Sequence, residues 1–131
     1  MHPVVPSDMT KLAANYGFNP GLIVGDLLFI SGQVGRSPGL PDPETLEDEY
    51  RLAWRNIGAV LAEAGATFAD LVQVNSFHTD LAHLPTFMQV RAEFLADSPV
   101  APTWTALGIN QIGAPGATVE ISAIARLPQA D

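Results

Sequence analysis

Glu120 lies in the run Val119-Glu120-Ile121-Ser122-Ala123-Ile124-Ala125, where apolar and polar residues alternate and one carboxylate rises from the polar side. The two-residue period of a strand puts Val119, Ile121, Ala123 and Ala125 on one face and Thr118, Glu120 and Ser122 on the other. A glutamate so placed can take a proton from water as the oxygen attacks an electrophilic carbon. The plainer alternative is a carboxylate in solvent, or one paired across an interface. Two further strand-like runs carry hydroxyls, Phe29-Ile30-Ser31-Gly32-Gln33 and Ala101-Pro102-Thr103-Trp104-Thr105. Ser31 precedes Gly32, whose missing side chain lets a ligand come close to the backbone. Without a histidine in a recognisable relay, Ser31 reads as a hydrogen-bonding group rather than a nucleophile. Thr103 and Thr105 share one face of their strand and Trp104 points the other way, although threonine is common on strands for packing reasons alone.

Other chemistries find little support. His78 and His83 are off the i, i+4 spacing that aligns two ligands on a helix, so no metal site is expected. The glycines at 32, 35 and 39 lack the strand-turn-helix setting and the lysine of a phosphate-cradling loop, and no cofactor is called for. There is no cysteine, hence no disulfide, thiolate or zinc–sulfur site. Six basic residues against fourteen acidic ones leave a net charge of −8, which repels phosphate backbones and argues against a nucleic-acid partner. No apolar run approaches the roughly 20 residues of a bilayer span. The first thirty residues lack a basic start followed by an apolar core, so a cytoplasmic protein without a membrane partner is expected.

The elements that must hold these groups can be read from periodicity. The 131 residues fit one domain spanning 1–131, and the apolar fraction of 47% with only 15% charged residues points to further burial between subunits. Leu22 to Val24 and Leu27 to Gln33 form a hairpin about Gly25-Asp26. A Gly- and Pro-rich loop over 36–43 then leads to a helix capped by Thr45 or Asp42. Its stripe, Tyr50, Ala53, Trp54, Ile57, Leu61 and Ala64, ends at Gly65. Leu71 to Phe77 is a strand covered on both faces. A second helix starts near Leu84 with Pro85 in its first turn and puts Arg91 among Leu84, Phe87, Met88, Phe94 and Leu95. Thr103 to Ile109 and Thr118 to Ala125 finish as strands. The order describes an α+β fold, a mixed sheet with two helices on one face and the other face bare.

These runs, with Gly25-Asp26-Leu27-Leu28-Phe29-Ile30-Ser31-Gly32-Gln33 and Val74-Asn75-Ser76-Phe77-His78-Thr79-Asp80, resemble the Rid group, the reactive-intermediate deaminases or YjgF family, over nearly the whole chain. The resemblance implies a chorismate-mutase-like fold and a homotrimer whose sheets pack into a central barrel, with ligand clefts between neighbouring subunits. It implies that Glu120 holds the reacting water, that Ser31 and Gly32 line the cleft, and that the Thr105 carbonyl helps hold the water. It also marks departures. Thr103 follows Pro102 where the typical member has the arginine that clamps a substrate carboxylate, Phe18 stands at a cleft tyrosine, and Met88 stands where many members carry asparagine. Arg91 replaces an often aromatic residue. It either reaches the ligand, lies along apolar surface with its head in water, or pairs across an interface.

The implied function is a cofactor-independent hydrolase or deaminase that adds water to an imine, enamine or related electrophilic small molecule other than a typical 2-imino acid. The alternative is a trimer that binds a metabolite without turning it over. Endoribonuclease activity, attributed to some relatives, fits the acidic charge poorly. Chorismate-mutase chemistry on a dicarboxylate asks for cationic groups that the expected cleft lacks.

Overall fold

The structure is a computed structural model that describes residues 1–37 and 39–129, so Pro38 of the expected loop over 36–43 lies outside the described residues. The chain runs β1 (His2–Val4), α1 (Thr10–Tyr16), β2 (Gly21–Val24), β3 (Leu27–Val34), α2 (Leu46–Glu63), β4 (Leu71–His78), α3 (Leu84–Leu95), β5 (Thr103–Gly108) and β6 (Val119–Arg126), with three single-turn 3-10 helices between them. The strands form one six-stranded sheet in the order β1-β2-β3-β6-β4-β5. Among the described residues only the β4–β5 pair is parallel. That pair is joined through α3, as a parallel connection requires.

Local chemistry sets the elements that place the site. Gly25 takes φ 63° at the first position of the two-residue β2–β3 turn, a conformation open to glycine. Thr45 is the residue that caps α2, its hydroxyl accepting from the Asp48 N–H at 3.1 Å, and Gly65 ends the helix region at φ 78°. The apolar stripe of α2 then buries Tyr50, Ala53, Trp54, Ile57, Val60 and Leu61 against β3 and β6. Trp54 stacks on Phe94 of α3 at 6.0 Å between ring centroids and meets Phe87 at 6.1 Å, which ties the two long helices together on one face of the sheet. Two elements were not expected. β1 has only three residues and is made by pairing with β2, while α1 is a third helix with no buried residue. β4 is covered by helices on one side only, because Gln73, Asn75 and Phe77 face away from them. No helix among the described residues is long and apolar enough to cross a membrane.

One polar chain runs through this core. The Trp104 indole N–H donates to Ser76 Oγ at 2.9 Å, and Ser76 Oγ lies 2.9 Å from His78 Nε2. His78 Nδ1 is buried without a partner among the described residues, and the ring packs edge-on to Phe87. Burial pushes the His78 pKa down, so the folded chain keeps the ring neutral while the unfolded chain protonates it below about 6.5. His78 therefore supports folding fully above that value and opposes it progressively as the pH falls. Urea midpoints should drop as the pH falls below about 6.5 in the native chain and less steeply in His78→Gln; parallel profiles would contradict the assignment.

Candidate functional site

Glu120 belongs to the face of β6 turned away from the helices, with Val34 of β3 and Phe77 of β4 as its cross-strand partners. On the other face Val119, Ile121, Ala123 and Ala125 are buried in the core, as the alternation requires. The β3–β6 register shifts between Ile30 and Gln33, so Ser31 and Gly32 together oppose Ser122 alone. This is a β-bulge, and it opens a seat. A Cβ added to Gly32 would lie 2.7 Å from both Cδ and Oε1 of Glu120, so the carboxylate rests directly on the glycine backbone. The buried Gln33 donates from Nε2 to the Ser31 carbonyl at 3.2 Å and satisfies a group that the interrupted ladder leaves without its regular partner.

The surroundings hold that seat in place. Ser31 N–H donates to Pro20 O at 2.8 Å and its hydroxyl donates to Asn19 O at 2.7 Å. This bond draws the Gly17–Pro20 loop, and with it the half-buried Phe18, to the bulge. The hydroxyl's lone pairs remain able to accept. At the start of β6 the buried Glu49 of α2 accepts from both the N–H and the hydroxyl of Thr118, each at 2.7 Å, which fixes the strand two residues before Glu120. Glu120 itself has no hydrogen-bond or ion-pair partner among the described residues. Its carboxylate is thus half-buried, seated and unpaired. Gly32→Ala should push it off the seat. Because the clash is with the end of a flexible side chain, the melting temperature should change little while turnover falls about tenfold or more; undiminished turnover would show that the seat has no role.

Thr103 and Thr105 share the open face with Glu120 but sit on the edge strand β5, beyond β4. Register places Thr105 in the row of Asn75 and Ser122, and Thr103 in the row of Gln73 and Ile124. Two strand spacings separate either threonine from Glu120, about 10 Å across the sheet before any offset along it. A single chain therefore does not bring them together. Met88 and Arg91 belong to α3 on the opposite, helix-covered side, where the Arg91 guanidinium stacks 4.2 Å from the Trp104 ring. The expected site residues fall into separate groups: Ser31, Gly32 and Glu120 at the bulge with Phe18 in the loop that Ser31 anchors, Thr103 and Thr105 on the far edge, and Met88 and Arg91 behind the sheet.

One cation escaped the sequence reading. A cleft of about 680 Å³ at the lower end of the sheet is lined by Thr103, Val72, Val100, Pro102 and Leu127, and also by Arg126. Arg126 ends β6 on the Glu120 face and pairs with Asp26 at 3.2 Å. The groove beside Thr103 is therefore not without a guanidinium. Carrying the β6 alternation one residue past Ala125 would have found it.

A mixed sheet of this order with helices packed on one face matches the architecture of Rid/YjgF structures. The chain belongs to the YjgF/Rid family: the family model described as Endoribonuclease L-PSP matches residues 9–127. The RutC family protein YjgH of Escherichia coli (strain K12) is 41% identical over 128 residues, which cover 96% of this chain and 95% of that protein. The solved structure of Protein YJGH matches with a TM-score of 0.85 at 40% identity and covers 98% of each chain. The 2-iminobutanoate/2-iminopropanoate deaminase of Dermatophagoides farinae is 30% identical over 109 residues, covering 82% of this chain and 83% of that one.

Proposed function

We propose that this chain is a hydrolase of the Rid type that adds water across the C=N bond of a small imine, or of the imine form of an enamine, releasing ammonia and leaving a carbonyl. The observation that carries this reading is the unpaired Glu120 carboxylate on the Gly32 seat, beside a serine hydroxyl with lone pairs to spare. Glu120 takes the proton of the attacking water and the nitrogen is protonated as it leaves, so the bond changes balance with water alone and call for no cofactor. Ser31 and the Gly32 backbone orient the ligand, and Phe18 covers it.

Thr103 and Thr105 enter from a neighbouring copy. Their separation from Glu120 across β4 is bridged when the edge strand of one chain lies against the bulge of the next, and the open face supports such packing with Phe29 and Leu107, exposed at 41% and 49%. A homotrimer with clefts between subunits follows. With a threonine after Pro102, the cleft favours neutral imines over 2-imino acids. The acidic charge that disfavours RNA stands against the endoribonuclease description of the family as the activity here. The test is ammonia release from a panel of freshly generated imines, with the mass in solution measured alongside. Turnover of neutral imines by a trimer is expected; a monomer, or preference for 2-imino acids, overturns the cleft and substrate assignments.

A further inference from the structure

We infer that the helix side of the sheet holds a second binding site, separate from Glu120, for a small monocarboxylate with an apolar body. A pocket of about 280 Å³ lies between α3 and the start of β5, walled by Val74, Ala92, Leu95 and Pro102, with Arg91 and Trp104 as its polar members. Arg36, Arg51 and Arg126 each have a carboxylate partner. The half-buried Arg91 has none among the described residues, and its guanidinium instead lies 4.2 Å from the indole ring. A cation–π contact uses no N–H donor on a carboxylate, so the guanidinium keeps its capacity to chelate an anion.

The stack is held from below. The Trp104 N–H is tied to Ser76, and its ring lies nearly parallel to Phe87, 6.2 Å between centroids. The cation is thereby fixed before any ligand arrives, which lowers the ordering cost of binding. Apolar walls with one bidentate donor suit a carboxylate with a short branched or aromatic body. A phosphate needs more donors than this pocket supplies, and the volume lies below the roughly 300–1,000 Å³ of drug-sized ligand sites, too small for a peptide. The sheet separates the pocket from Glu120, so it binds independently of the proposed reaction.

The test is a titration of the full-length chain with isovalerate, followed by 1H–15N spectra. Saturable shifts are expected at the Trp104 indole N–H and at the amides of residues 91–96. Arg91→Met should weaken them at least about tenfold, as loss of a charge-assisted pair does, while Glu120→Gln leaves them unchanged. Isovaleramide, the same shape without the charge, should give none at equal concentration. An equal response to the amide, an unaltered response in Arg91→Met, or shifts confined to Ser31, Gly32 and Glu120 overturns the inference and leaves the Glu120 reading standing.

Discussion

Glu120→Gln is expected to lower turnover on the best imine about 10²- to 10⁴-fold, the range a positioned general base supplies, while melting temperature and mass in solution stay at native values. The substitution keeps the size and planarity of the group, so it should still rest on Gly32, where the contact is to the end of the side chain. No hydrogen bond or ion pair of Glu120 is lost among the described residues, so folding has little reason to respond. What changes is proton affinity, since an amide cannot take the proton that leaves water. The measurement is kcat and KM for native chain and variant on one substrate, with ligand affinity from a separate titration. A fall in kcat at little-changed affinity marks a group that acts in the transition state. If kcat falls by less than a factor of about three, Glu120 is not the general base of the reaction.

Thr103→Arg is expected to raise kcat/KM for 2-imino acids about ten- to a hundredfold, with little change for neutral imines. A guanidinium–carboxylate pair contributes about 1.5–3 kcal/mol, which converts to that range. The native hydroxyl donates only to Val72 O at 3.2 Å and is exposed, so an arginine there costs one weak bond and meets open cleft. Arg126 lines the same groove but is held by Asp26, which takes up part of its charge. Ratios of kcat/KM for an imino acid and its uncharged analogue check the claim. No gain would show that the groove beside Thr103 is not where the substrate carboxyl comes to rest.

What the sequence disclosed follows the reach of each signal. The hairpin about Gly25, α2 between Thr45 and Gly65 and α3 behind Pro85 are specified by neighbours a few residues apart, and they stand where periodicity and capping put them. β1 and α1 carry no such signal: His2-Pro3-Val4 is a strand only because β2 offers it a partner, and α1 has no face to bury. The alternation around Glu120 also holds, since its neighbours at odd positions are core residues. The contact of its carboxylate with Gly32 joins strands far apart in the chain, and no local pattern encodes it. Gln33 is a polar side chain in an apolar strand, and the structure shows why it is there: it serves the Ser31 carbonyl. Arg91 packs half-buried against Trp104, whereas Met88, expected on the same stripe, is 42% exposed and Val90 is buried in its stead, because the face α3 presents depends on how it crosses from β4 to β5.

The interruption of the ladder at Ser31 and Gly32 carries one more implication. Ile30 and Gln33 both face the core although they are three positions apart, so excising Gly32 would restore an unbroken strand and leave every other side chain of β3 on its present face. The deletion would close the interruption and give β3 a continuous run of backbone bonds to β6. The surplus residue lies directly beneath the Glu120 carboxylate, so shortening the strand would take away the surface on which that group rests.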